Sequence, residues 1–259
     1  MYLCAVRRYV SILLLLFAFC SCRAEEPVRY TLEVVRTFPH DRGAYTQGLF
    51  FHDGSLFETT GQYGASSIRL VDLESGKVLR RLNFSRKYFA EGSTVLDGKL
   101  FILTWTNRTA FVYDAASLEY LKSYSYPREG WGLATDGRSL IASDGSSNIY
   151  FLSPEFKLER SLKVTLNGRP VKYLNELEWI DGRIWANVYT TDMLVIINPA
   201  NGKVEATVNC AGLLPDALRR PDTDVLNGIA LDGNGKIYLT GKNWPELYEV
   251  RLVKAGRKK

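Results

Sequence analysis

The sequence predicts an all-β fold: a five-bladed β-propeller of four-stranded antiparallel blades, its ring closed by the N-terminal strand. Three observations predict it. Asp-Gly followed by a short apolar run occurs five times, with Asp53, Asp97, Asp136, Asp181 and Asp232 at spacings of 44, 39, 45 and 51 residues. In the first four units a second pair of apolar runs follows, joined by an Asp or Pro turn. A spare run, YTLEVVRTF (30–38), stands ahead of the first unit. Asp-Gly between alternating apolar residues marks a tight hairpin. A period of about 45 residues with about four strands per unit marks radial repetition.

The units follow in order. The hairpins are FHDGSLFETTG from Phe51, LDGKLFILTW from Leu96, TDGRSLIASDG from Thr135, IDGRIWANVY from Ile180 and LDGNGKIYLTGK from Leu231. The second pairs are SSIRLVDLESGKVLRRL, TAFVYDAASLEYLKSY, NIYFLSPEFKLERSL and MLVIINPANGKVEATV. The fifth unit stops at ELYEVRLV, so residues 30–38 are expected to supply its outer strand and hide two open edges. GLLPDALRRPDTD (212–224) is expected to hold one helical turn. The reading is one domain over 28–253, with a basic tail at 254–259.

Composition narrows the function classes. Of 259 residues, 46% are hydrophobic and 24% charged, as a globular protein with a packed core requires. The net charge of +5 is dispersed apart from the terminal KAGRKK, so nucleic acid is not an expected partner. Arg7 and Arg8 precede the apolar YVSILLLLFAFC, the pattern of an export leader over 1–22 rather than a spanning helix. Cleavage after Ala24 and lipidation of Cys22 are both open. The protein is expected to be exported, as a periplasmic protein or a membrane-anchored lipoprotein. Cys210 alone lies in the folded part, and a lone cysteine there reads as a small core residue. With only His40 and His52, a zinc site is poorly provided for. No metal or cofactor is expected.

Comparing equivalent positions locates a site. Five or six residues before each hairpin Asp stand Gln47, Glu91, Trp131, Asn175 and Asn227, none of them aliphatic. Four are followed by glycine and the fifth by Glu176. Seven residues after the hairpin glycine stand Gly61, Trp105, Asp144, Tyr189 and Lys242, the last counted from Gly235 because that turn is two residues longer. An antiparallel hairpin brings its outer ends together, so both sets are expected at one mouth of the channel. Wet loops repeat polar residues too, but tryptophan and lysine at matching ends are poor generic loop residues. Glu91, walled by Phe89 and Trp105, is expected to lose solvation and to have a raised pKa, as a proton-shuttling carboxylate requires. No Ser-His-Asp set is possible with these histidines.

Seven stretches resemble the plant-type glutaminyl cyclotransferases, a family with bacterial members. They are YTQGL (45–49), LFETTGQYGASSIR (56–69), YFAEG (88–92), EGWGLATDG (129–137), LNELEWIDGRIWAN (174–187), DVLNGIA (224–230) and TGKNWPELYEV (240–250). The resemblance implies a metal-independent reaction that closes an N-terminal glutamine to pyroglutamate and releases ammonia. It implies Glu91 as the acid/base group, with Lys242, Asn175 and the Trp131 indole as oxyanion stabilisers. Gln47, Glu176 and Asn227 would meet the substrate, and Phe89, Trp105, Tyr189 and Trp244 would form walls. The plant pattern has tryptophan at the position of Tyr189. Peptides or proteins beginning with Gln are the implied substrates, with Glu left open, and a monomer is expected.

Two other classes fit the same residues. A lactonase-like metal-dependent hydrolase would use Glu91, Asp144, Asn175 and Asn227 as calcium ligands, although Lys242 would compete with the ion. A non-catalytic propeller would bind a peptide or sugar at its aromatic mouth.

Overall fold

The computed structural model describes residues 26–256. The expected leader, with Cys22, and the last three residues of the tail lie outside the described residues. β1 (Val28–Pro39) is followed by a sheet of β2 (Thr46–His52), β3 (Ser55–Thr60), β4 (Ser67–Val71) and β5 (Val78–Asn83). A second sheet holds β6 (Ala90–Leu96), β7 (Lys99–Thr104), β8 (Thr109–Asp114) and β9 (Tyr120–Ser125). A third holds β10 (Leu133–Thr135), β11 (Leu140–Ser143), β12 (Asn148–Leu152) and β13 (Leu158–Lys163). β14 (Thr165–Leu166) and β15 (Arg169–Pro170) form a small hairpin. Then come β16 (Leu174–Ile180), β17 (Arg183–Val188), β18 (Met193–Ile197) and β19 (Val204–Asn209), a 3-10 turn at Asp216–Leu218, and β20 (Leu226–Leu231), β21 (Ile237–Gly241) and β22 (Glu246–Lys254).

The fold is all-β, but the five separate four-stranded blades expected from the repeats are not what forms. The last seven long strands and β1 make one eight-stranded sheet, in the order β16-β17-β18-β19-β1-β22-β21-β20. Its end strands, β16 and β20, pack against each other. The cause is β1. Twelve residues long, it runs antiparallel to β22 from Tyr30–Lys254 to Pro39–Glu246 and parallel to β19 from Val28–Ala206 to Thr31–Asn209. The repeat count gave this strand one neighbour; it has two, and the edge of β19 is covered as well.

Local chemistry explains the hairpins. Asp97 and Gly98 have φ of 50° and 69°, the left-handed pair that a two-residue hairpin turn needs, and Asp53 and Asp181 repeat it. Outer strands such as β5 and β9 are mostly exposed, whereas β6 is buried along its whole length. Apolar layers fill the space between neighbouring sheets: Phe50, Phe57 and Ile102 between the first and second, and Phe101, Leu133 and Leu140 between the second and third. Each such side chain contributes about 1.5–3 kcal/mol when fully buried.

The start of the inner strands positions the site. Register shifts fall between Thr46 and Gly48, Ala90 and Ser93, Leu174 and Leu177, and Leu226 and Ile229. Gln47, Glu91, Asn175 and Asn227 therefore sit in β-bulges, which re-aim a side chain out of the regular alternation. Gly92, after Glu91, and Gly132, after Trp131, are glycines for a packing reason. A Cβ on Gly92 would lie 2.3 Å from the Leu133 nitrogen, and one on Gly132 would lie 2.1 Å from the Asn175 oxygen. Neighbouring inner strands touch backbone to backbone there. Gly132→Ala is expected to cost about 1–3 kcal/mol in chemical denaturation. Gly233→Ala, which meets open space, should stay within about 0.5 kcal/mol.

Candidate active site

A cavity of about 360 Å³ opens where these bulges converge. Eight of the eleven residues proposed from sequence line it: Glu91, Lys242, Asn175, Gln47, Phe89, Trp105, Trp131 and Tyr189. Tyr45, Gln62 and Tyr63 complete the lining and were missed. Tyr45 stands two residues before Gln47, just ahead of β2, and opens the YTQGL stretch. Gln62 and Tyr63 follow Gly61, the hairpin-end position that was counted without its successors.

Glu91 is buried at 5% exposure. Gln47 Nε2 donates to its Oε1 at 3.2 Å, and Asn227 Nδ2 donates in turn to Gln47 Oε1 at 3.3 Å and to the Thr46 carbonyl at 2.9 Å. Asn227 thus orients Gln47 and does not itself line the cavity. Burial drives the Glu91 pKa well above the ordinary carboxylate range; the Lys242 charge opposes this and the Glu129 charge adds to it.

Lys242 is held by rings. Its Nζ lies 4.7 Å from the centre of Tyr45 and 4.8 Å from that of Tyr189, a pair of cation–π contacts. Burial lowers its pKa, while Glu91 and Asp224 resist the shift. The Tyr45 hydroxyl donates to Asp224 Oδ2 at 2.7 Å, which fixes that ring. Burial thus shifts Glu91 towards holding its proton and Lys242 towards losing one.

Aromatic groups form the rest. Phe89 meets Tyr45, Tyr63 and Trp105 edge-on at centroid distances of 6.2, 5.4 and 5.6 Å. Gly61 makes room for it, since a Cβ there would lie 2.2 Å from the Phe89 ring. Trp131 packs edge-on against Tyr189. Its indole N–H donates to Glu129 Oε2 at 3.1 Å, so it is already engaged and is a poor oxyanion donor. Asn175 is the opposite case: its Oδ1 is buried without a partner. A buried amide left without a protein partner calls for one, and beside a cavity a ligand or a water can supply it.

Three proposed residues lie elsewhere. Glu176 accepts the backbone N–H of Leu49 at 3.3 Å and of Ile229 at 2.8 Å, joining β16 to β2 and β20. Asn227 acts behind Gln47. Trp244 is 1% exposed, donates to the Asp224 carbonyl at 2.9 Å and backs the turn that carries Lys242. Asp144, counted in the same set of hairpin ends, is used locally, accepting from the Ser146 N–H and from the hydroxyl of Tyr150 in β12.

A buried ion network stands behind that turn. His40 places Nδ1 2.7 Å from the Trp244 carbonyl and Nε2 2.9 Å from Glu58 Oε1. Both partners are acceptors, so both ring nitrogens carry protons and His40 is a buried imidazolium. Burial alone would neutralise it; Glu58 outweighs burial and raises its pKa. Burial likewise opposes the Glu58 charge, but His40 and Arg69 hold its pKa down to about 2. Thr46 donates to the same Glu58 oxygen at 2.7 Å, so one carboxylate fixes both the Lys242 turn and the start of β2. Among the described residues, no three His, Cys, Asp or Glu side chains come together as a metal-binding group.

Known proteins share this arrangement of chain. A sequence model described as glutamine cyclotransferase matches residues 10–252. The glutaminyl-peptide cyclotransferase of Arabidopsis thaliana is 43% identical over 235 residues, covering 88% of this chain and 73% of that protein. The crystal structure of the Myxococcus xanthus glutaminyl cyclase superposes with a TM-score of 0.83 at 37% identity, covering 89% of this chain and 100% of that one.

Proposed function

The chain belongs to the glutamine cyclotransferase family, and from that premise we propose how its cavity performs the chemistry of a glutaminyl-peptide cyclotransferase. The observation that carries the reading is a buried carboxyl, Glu91, in one cavity with a desolvated ammonium, Lys242, and an unpartnered amide, Asn175. The substrate is a peptide whose N-terminal glutamine folds back so that its α-amine reaches its own side-chain carboxamide.

The α-amine has an ordinary pKa of about 7.7–8.0, so neutral nucleophile is present near neutral pH. The amine nitrogen bonds to the carboxamide carbon as Glu91 takes one of its protons. The carbonyl electrons move to oxygen, and the Lys242 ammonium stabilises the charge that develops there. Glu91 then returns the proton to the departing nitrogen, the old C–N bond breaks, and ammonia leaves. Asn175 and Gln47 bind the amide groups. The aromatic walls hold the side chain bent towards attack, the positioning on which an intramolecular reaction depends.

Each step uses side chains alone, so the reaction is proposed to be metal-independent. Incubation with a short Gln-initiated peptide should release one ammonia per peptide, at the same rate with and without chelator. Chelator-sensitive turnover of a lactone, without ammonia release, would overturn the reading. We further propose export, on the strength of the basic-then-apolar leader, and a monomeric catalytic domain over 28–253.

A further inference from the structure

Glu129 lies just outside the cavity lining, in the segment between β9 and β10, and its side chain is exposed. Yet two indoles converge on it. Trp105 Nε1 donates to Glu129 Oε2 at 2.9 Å, and Trp131 Nε1 donates to the same oxygen at 3.1 Å. An indole nitrogen only donates, so this oxygen is the partner of both walls. The backbone is pinned at the same place: the Gly130 N–H lies 3.1 Å from both the Thr104 and Trp105 carbonyls. A Cβ on Gly130 would stand 2.6 Å from the Thr104 oxygen, so the close approach is specific to glycine. The carboxylate is therefore held in position and not left to wander in solvent.

We propose that Glu129 is a positioning residue for the cyclisation: it ties Trp105, just after β7, and Trp131, just before β10, into one wall of the cavity. The proposal rests on the cyclotransferase reading of the cavity. Charge-assisted hydrogen bonds to a carboxylate are stronger than neutral ones, and here two of them share one anchor. Gln47 donates to Glu91; the charges that act on Glu91 are those of Lys242 and Glu129, and the Tyr45 and Tyr189 hydroxyls are the other titratable groups near it. Of these, Lys242 favours ionised Glu91 and Glu129 favours the protonated form.

Two substitutions separate the wall from the charge. Glu129→Gln keeps an oxygen that accepts from both indoles but removes the charge. It should leave the indole N–H resonances of ¹⁵N-tryptophan-labelled protein nearly in place and move the acid limb of the kcat–pH profile to lower pH. Glu129→Ala removes both. It should shift the Trp105 and Trp131 indole resonances and raise KM for a Gln-initiated peptide roughly tenfold, the scale of one lost charged hydrogen bond. Unmoved indole resonances and KM in Glu129→Ala would overturn the wall, and an unmoved acid limb in both variants would overturn the charge. Should the wild-type protein release no ammonia, the cyclotransferase reading fails, while the resonances still judge the wall.

Discussion

Glu91→Gln is expected to lower kcat by about 10²-fold or more, the scale of a general acid/base, with KM changed less than about threefold. The amide has nearly the same shape and can still meet the Gln47 amide, so the cavity keeps its form. What it cannot do is take a proton from the attacking amine and give it to the leaving nitrogen. Steady-state kinetics on a Gln-initiated peptide, with ammonia as the readout, measures both constants. A variant that retains near-normal kcat would remove Glu91 from the mechanism and favour a surface that only binds. The wild-type profile should carry the same signature. Burial raises the Glu91 pKa, so the ionised base appears only as pH climbs well past the usual carboxylate range. The acid limb of kcat should therefore lie above that range, and Glu91→Gln should erase it.

Lys242→Met is expected to lower kcat by roughly 10²–10³-fold, the cost of losing one preorganised oxyanion contact. Methionine fills much the same space between Tyr45 and Tyr189, so KM should move less than kcat. The sign of the alkaline limb follows from the same group. Burial lowers the Lys242 pKa, so its charge is lost as pH rises through a value below the usual lysine range. kcat should fall there. Lys242→Arg keeps its charge at every accessible pH, so the alkaline fall assigned to Lys242 should disappear. Its broader guanidinium, between rings spaced for an ammonium, should still leave kcat below wild type. An alkaline limb that persists unchanged in Lys242→Arg would assign the fall to another group.

The repeat made much of this legible. Five Asp-Gly turns gave the hairpins, and three of them have both residues at positive φ. Counting back from them reached Gln47, Glu91 and Asn175 because bulges recur at the same offset. The count failed where a side chain's direction departs from the repeat. Asn227 occupies an equivalent bulge, yet its amide turns to the Thr46 carbonyl and supports Gln47. Glu176 replaces the usual glycine with a side chain long enough to cross to β2 and β20. Trp131 lines the cavity, but its N–H is engaged by Glu129, a contact that no spacing rule exposes. The separate blades failed for a reason of edges: alternation shows that β1 is a strand, but not that both its sides find partners.

The pairing of β1 with β22 also sets when the enzyme can work. Glu33 and Arg251 meet across 218 positions of chain, and the cavity takes Tyr45 and Gln47 from near one end of the fold and Lys242 from near the other. Contacts of such sequence separation form late and slowly, because chain entropy must be given up before they return anything. Glu91 and its aromatic neighbours can assemble within the early sheets, but the ammonium reaches them only when the two ends dock. Catalytic competence is thus expected to be the last property the chain acquires on folding, and recovery of activity after denaturation should time the docking of its two ends.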